Sequence, residues 1–331
     1  MRQNNLDKSF TMTVTALVLA LVAAVGFLLN VGKFVEDSAA TPPDALRFGE
    51  YLLLILLTWG LAWFGLVRLV GFWARHPNRM VKLRWLAPLI FGLTLLFLWQ
   101  SLTTLYGVPK VILPPPSAII ERLSHNFPDM LADLKQTLQA IIFGYGVGCG
   151  VAILVAVAMD RVPFLEKGLL PYGTIVSALP IVGVAPIMVM WFGFDWPSKA
   201  AVVIIMVFFP MLVNMSAGLK ATSAIENDLL KTYGASYWVT LMRLRLPASL
   251  PFMFNGLKIC ASLALIGAIV AEFFGTPIVG MGFRINSEVG RMNIDYVWAT
   301  IFVASLLGSC HVLIVNIVER RLTFWHNSMR D

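Results

Sequence analysis

Charge is what this sequence has least of. Only 13% of its 331 residues are Asp, Glu, Lys or Arg, while 58% are hydrophobic and the mean hydropathy is +0.79. Soluble domains carry about 25% charged residues, so a water-solvated globule is excluded and a lipid bilayer is the solvent the composition fits. Cysteine is nearly as scarce. Cys149, Cys260 and Cys310 lie far apart, each inside an apolar segment, which excludes a disulfide framework and metal-ligand spacing and leaves buried, inert thiols. The four histidines, His76, His125, His311 and His326, are dispersed. Phosphate-loop (GxxxxGK[ST]), HExxH, GxSxG and CxxC signatures are absent, so no catalytic residue, metal site or cofactor is expected on this chain. Energy for any work it does must come from a partner or an ion gradient. The net charge of +7 resides in short loops between apolar runs. That pattern implies membrane orientation, not a nucleic-acid partner.

What the sequence has in abundance is spans. The expected fold is all-α and polytopic, with about eight transmembrane helices near 11–30, 51–73, 85–107, 136–158, 171–193, 200–218, 251–273 and 297–318, each close to the roughly 20 residues a bilayer requires. The run 11–30 has no small-residue cleavage site after it and reads as a retained helix, not a signal peptide. Placing both termini in the cytoplasm puts the densest basic clusters inside, Arg75–Arg84 and Lys220–Arg245 among them, in keeping with the positive-inside rule. The chain divides near residue 84. Residues 1–84 form a two-helix extension with a basic linker, and 85–331 form a six-helix core with a long cytoplasmic loop at 220–250.

Within the core, Gly144, Gly146, Gly148 and Gly150 give two small-xxx-small pairs, Gly144/Gly148 and Gly146/Gly150, which let helices approach closely in lipid. Static packing and a sliding contact both fit. Pro180 and Pro186 fall inside the expected fifth span and should break or bend it, as translocation-path helices often are. The run Pro114–Pro116 is stiff, and Ile119, Ile120 and Leu123 after it suit a surface helix. Lys258 and Glu272 are ionisable residues within a span, with Asn214 and Asn255 as polar company. They stand about 21 Å apart along a helix and cannot pair with each other. Lys258 can snorkel to the surface, and Glu272, at the outer end, can gate or cap or be a simple interfacial carboxylate. Pro180, Pro186, Met188, Met190, Phe208, Phe209, Asn214, Asn255, Lys258 and Glu272 are the candidate path residues.

The loop ENDLLKTYGASYWVTLMRLRLPASL (226–250) is too long for an ordinary bundle connection of 2–8 residues. Asp228 suits a helix N-terminus, Leu229, Leu230 and Tyr233 share one face, and Gly234 can end that helix. A second helix, Tyr237–Leu246, should then close at Pro247. The product is a hairpin with apolar side chains for a partner's groove.

This stretch resembles the EAA loop of binding-protein-dependent ABC importer permeases, E-A-A-x-x-x-G, nine residues, I-x-L-P. Here the pattern reads D-L-L-K-T-Y-G at 228–234 and L-R-L-P at 244–247, with Asp228 for Glu and Leu229 and Leu230 for the alanines. LPPPSAIIERL, LPIVGVAPIMVMWFG and PFMFNGLKI…AEFFG are similar to the nitrate, sulfonate and taurine group, and GMGFRINSEVGRMNIDYVWA to pyrimidine- and riboflavin-type relatives.

The resemblance implies a type I importer permease in a bacterial inner membrane, carrying a small organic or anionic solute. Its partners would be a dedicated pair of ABC ATPase subunits that bind ATP and Mg, a second permease copy or paralogue, and an external solute-binding protein. Glu226, Asp228, Leu229, Leu230, Thr232, Tyr233, Gly234, Ala235, Ser236 and Tyr237 would make the ATPase contact, with Leu246 and Pro247 ending the motif. The bulkier Leu229 and Leu230 are what point to a dedicated ATPase. Two other classes stay open from the residues themselves. An ion-gradient carrier would work without any ATPase, although intramembrane acids and histidines for coupling are few here. A membrane scaffold would have no substrate at all.

Overall fold

The computed structural model describes residues 45–75, 86–177, 179–275 and 278–324. Among these the chain is helical and holds no strand. Five helices are long and apolar enough to cross a membrane, and Leu52–Arg68 and Ile181–Phe192 are shorter apolar ones. The expected span at 11–30 and most of the basic linker lie outside the described residues.

Two compact units are present. In the first, the described residues are 45–75, 86–124 and 293–295. Helices α1 (Ala45–Arg75) and α2 (Leu86–Leu105) pack through Ile55 and Leu105, supported by Leu52, Phe97 and Leu98. Most other large side chains of α1, such as Leu53, Leu56 and Leu57, are exposed, as suits a helix solvated by lipid. The proline run leads into α3 (Pro116–His125), which buries Ala118 and Ile119 and leaves Ile120 outward. The Ser117 amide donates to Gln100 Oε1 at 2.9 Å and Arg122 pairs with Asp295 at 2.8 Å.

The second unit holds the long helices of the core. Helix α4 (Phe127–Arg161) and α7 (Trp196–Leu219) make the most extensive contact, followed by α7 and α10 (Leu246–Glu272). Val203, Val207, Met211, Leu212 and Met215 of α7 are fully buried between them. The glycines explain how α4 comes so close. A Cβ on Gly144 would lie 2.6 Å from Val203 Cβ and 2.7 Å from the Ala200 carbonyl, and one on Gly148 would strike Val207. Gly146 and Gly150 face open space. Of the two small-residue pairs, therefore, only Gly144/Gly148 packs within the described chain. Gly144→Ala should destabilise the detergent-solubilised protein by about 1–3 kcal/mol through overpacking. Gly150→Ala should leave its melting temperature unchanged, and thermal unfolding of the two variants checks the contrast.

The expected fifth span, 171–193, is two helices. Helix α5 (Pro163–Ser177) ends first, and α6 (Ile181–Phe192) starts immediately after Pro180, whose φ of −68° and ψ of 111° are extended. Pro186, by contrast, sits inside an unbroken α6. Proline is tolerated there because it costs one donor, whereas Pro180 begins a new helix where that donor is unused anyway.

Helix α8 (Ala224–Thr232) and α9 (Tyr237–Thr240) come next, then a π-turn over Leu241–Arg245 that runs straight into α10. Pro247 does not end the second helix, contrary to the sequence expectation. It lies in the first turn of α10, where the ladder has shifted register and Leu246 N–H bonds the Leu241 carbonyl. The wider π-turn comes just before Pro247, which stands at a first-turn position where proline is tolerated. Helix α11 (Met281–Gly290) and α12 (Ile294–Leu322) complete the described chain.

Candidate functional site

The loop between α7 and α10 folds into a hairpin with two unlike arms. Its first arm, α8, is capped by Ser223 and Glu226, not by Asp228. Ser223 Oγ accepts from the Glu226 amide at 3.3 Å and Glu226 Oε2 accepts from the Ser223 amide at 2.9 Å. This reciprocal capping box satisfies two donors that a helix start leaves open. The hydrogen bonds from Ser223 hold the Glu226 carboxyl below its usual pKa range. Asp228 sits one turn further on and pairs with Lys231 at 3.0 Å, both side chains exposed. Asn227 Nδ2 donates to Thr222 Oγ1 and to the Ser223 carbonyl, each at 2.9 Å.

No residue of α8 is buried. Ile225 (83% exposed), Leu229 (56%) and Tyr233 (80%) stand bare on it. Three apolar side chains bare on one short helix suit contact with a partner surface. Gly234 then ends the helix at φ +67°, with its N–H on the Lys231 carbonyl and the Ala235 N–H on the Leu230 carbonyl. The left-handed conformation is open to glycine at little steric cost.

The second arm is anchored. Leu241 is 1% exposed and joins the core cluster with Met159 and Leu219. Arg245 donates through one nitrogen to both oxygens of Asp160, at 2.9 and 2.8 Å, and Tyr237 Oη donates to Asp160 Oδ2 at 3.0 Å. Arg161 lies 5.5 Å over the rings of both Tyr237 and Trp238. At the same end Lys220 pairs with Glu166. So the ten loop residues named from the sequence divide. Glu226, Asp228, Leu229, Thr232, Tyr233, Gly234 and Ser236 are exposed, Leu230 and Ala235 partly covered, and Tyr237 turned toward α4. Leu246 and Pro247 begin α10.

The expected path residues are not gathered on one surface. Met188 is buried with Ala185, Val202 and Ala271, while Met190 is 82% exposed on the same helix. Phe208 and Phe209 stack edge to face at 5.0 Å, against the core of α4, α7 and α10. Asn255 Nδ2 donates to Asn214 Oδ1 at 3.1 Å, joining α10 to α7, and Asn214 also bonds the carbonyl of Pro210. Lys258 does not snorkel away. Its ammonium pairs with Glu319 of α12 at 2.8 Å. A groove of about 570 Å³ between α10 and α12 has Ser262, Ser305, Ser309 and Asn316 among apolar residues such as Leu265 and Val312, none of them among the path candidates.

Glu272 serves as a cap for α11. It is 2% exposed, not an interfacial carboxylate, and accepts from Thr137 Oγ1 at 2.8 Å and the Gly282 amide at 2.7 Å. Asp133 beside it is 1% exposed and accepts from the Gly280 amide at 2.8 Å and Arg284 Nε at 2.7 Å. Thr137 Oγ1 accepts from the Met281 amide at 3.0 Å. Lys199, 1% exposed, bonds the Phe194 carbonyl and interacts electrostatically with Glu272. Side chains of α4 and α10 thus satisfy the first amides of α11. Gly280, at φ +140°, leaves room for the carboxylate, since a Cβ there would fall 2.8 Å from Glu272 Cδ.

Sequence reasoning missed Asp133, Asp160, Arg161, Lys199, Arg245, Arg284 and Glu319 as members of these clusters. Charged residues near opposite ends of separate spans carry no spacing signal, because their meeting depends on helix order. Among the described residues no group of His, Cys, Asp or Glu could hold a metal ion.

Comparison with known proteins gives a consistent result. The family model described as binding-protein-dependent transport system inner membrane component matches residues 146–324. A formylaminopyrimidine transport permease protein of Halalkalibacterium halodurans is similar at 32% identity over 240 residues, covering 72% of this chain and 96% of the relative. A probable ABC transporter permease protein of Haemophilus influenzae is 31% identical over 230 residues, 70% and 94% of the two chains. The taurine transport system permease protein of Escherichia coli is 28% identical over 270 residues, 76% and 96%.

Proposed function

The chain belongs to the family of binding-protein-dependent transport system inner membrane components, and from that premise we propose that its 226–238 hairpin is the seat of the ABC ATPase subunit. As a permease subunit of an ATP-driven importer the chain is not itself an enzyme, and ATP hydrolysis belongs to a separate subunit. One observation supports the assignment above the others. Ile225, Leu229 and Tyr233 stand exposed on a fully capped helix that ends at a left-handed glycine. A groove-binding helix needs that combination, apolar anchors on a helix formed before its partner arrives.

In this reading the hairpin and both termini face the cytoplasm, ATP and Mg are bound by the partner, and two permease copies or paralogues enclose the path. An external binding protein delivers the cargo. Relatives named for formylaminopyrimidine and taurine support a small organic or anionic solute. Of the surfaces in the second unit, the groove beside α10 sets Ser262, Ser305, Ser309 and Asn316 among mainly apolar walls, a mixed surface that suits a small organic solute, since polar side chains inside spans favour protein or water over lipid.

The test is contact. In the co-purified importer, a cysteine at Leu229 or Tyr233 should cross-link to the ATPase subunit, whereas one at Ile112 in the first unit should not. Equal yields at the two places would remove the assignment. A secondary carrier would show no such subunit at all.

A further inference from the structure

We propose that Asp160 is the positioning residue through which ATPase movement at the hairpin reaches α4, acting by its grip on Arg245 and Tyr237. The inference rests on the ATPase-seat reading above and adds the route the movement takes.

The argument begins with a placement that helix electrostatics disfavours. Asp160 is the penultimate residue of α4, where the partial negative charge of the macrodipole makes a carboxylate unwelcome. It is also nearly enclosed, its side chain 8% exposed. A buried carboxylate at that point needs compensation. It receives three hydrogen bonds, two from Arg245 and one from Tyr237. Both donors lie on the second arm of the hairpin, nearly eighty or more residues away in sequence. Arg161, the next residue of α4, covers the Tyr237 and Trp238 rings from the same side.

The first arm has nothing comparable. No residue of α8 is buried, and its ion pair, Asp228 with Lys231, is internal to the arm. A displacement applied at α8 reaches the bundle at both ends of the hairpin, through the short 220–223 link to α7, where Lys220 pairs with Glu166, and through the second arm. There it meets two connections of different kinds. One is the unbroken chain through the π-turn into α10, and the other is the Asp160 clamp onto α4. The apolar contact of Leu241 holds the arm against the core but is non-directional. The clamp fixes orientation, since charge-assisted bonds to both carboxylate oxygens define a geometry. Helix α4 then reaches from this clamp to Asp133 and Thr137 at its other end, so rotation at one end is delivered to the first amides of α11.

The experiment uses the importer purified with its ATPase subunits, in nanodiscs, and needs no solute. A cysteine at Leu131, exposed near the far end of α4, is labelled by a maleimide with and without ATP and vanadate. A cysteine at Leu229 reports ATPase contact in parallel. Wild type should show an ATP-dependent change in the Leu131 labelling rate. Asp160→Ala and Arg245→Met should reduce that change at least fivefold while the Leu229 cross-link persists, and the exchange Asp160→Arg with Arg245→Asp should restore most of it. A role limited to stability would lower the yield of protein but leave the ATP-dependent ratio intact. Retention of the full change in Asp160→Ala and Arg245→Met, or its loss in the exchanged pair when the cross-link is intact, overturns the proposal. Absence of the Leu229 cross-link in wild type would instead bring down the ATPase-seat reading beneath it.

Discussion

A Gly234→Val permease should reach the membrane at the normal level and yet carry its solute at least tenfold more slowly. The cause is conformational, not steric. Gly234 has φ +67° and nothing within 4 Å of where its Cβ would be, so there is ample space for a side chain. A left-handed residue other than glycine costs roughly 1–2 kcal/mol, and a β-branched one is a genuine outlier there. The hairpin is the cheapest thing to distort, since α8 buries no residue that would hold it in place. Strain at residue 234 is thus relieved by swinging α8 away from its seat, which leaves the α4–α7–α10 core folded. Gly234→Asn should retain most activity, because asparagine tolerates this region. Deletion of 228–238 should abolish uptake with insertion intact. The measurements are membrane content by immunoblot and uptake of whichever solute the co-purifying binding protein carries. Normal uptake by a well-expressed deletion variant would end the coupling account.

How the sequence announced this hairpin, and what it withheld, follows from the physics of each signal. Local chemistry was legible. The glycine at 234 bears the turn expected of it, and of the two prolines expected to break or bend the fifth span, Pro180 marks the break while Pro186 sits in an unbroken helix. Periodicity and hydropathy located the long helices because lipid forces every backbone donor into its own helix. The capping residues were misassigned because Asp228 looked closest to the motif, while Ser223 and Glu226, at capping-box spacing, sat just upstream. Pro247 was read as a stop because a proline normally ends a helix, and the π-turn just before it leaves no mark in composition.

Tertiary electrostatics was illegible. Lys258 and Glu272 were rightly separated, but their true partners, Glu319 for one and Thr137 and Gly282 for the other, lie on elements whose neighbours only the fold reveals. The same limit applies to which path candidates are exposed. Met188 and Met190 look alike in a greasy run, yet their two-residue spacing, about half a turn of α6, puts the first in the core and the second outside it.

Asp133→Ala should be the most destabilising single substitution in the second unit, lowering the melting temperature in detergent by roughly 10 °C. Two losses coincide. Arg284, whose side chain is 18% exposed, loses the carboxylate that neutralises it, and breaking a buried pair on one side costs about 3–5 kcal/mol. The Gly280 amide loses its acceptor as well, adding about 1–3 kcal/mol for an unsatisfied donor. At a few degrees per kcal/mol for a chain of this size, the order of magnitude follows. Arg284→Met alone should cost less, because Asp133 keeps the Gly280 amide. The decisive comparison is the double variant. If the charge pair is what makes the single change so costly, Asp133→Ala with Arg284→Met should melt above Asp133→Ala, since no unpaired guanidinium remains and the methionine can fill the space beside Tyr296 that Arg284 covers at 5.4 Å. If instead the double variant melts below both singles, the two residues contribute independently, and the charge pair is not what makes the single change costly.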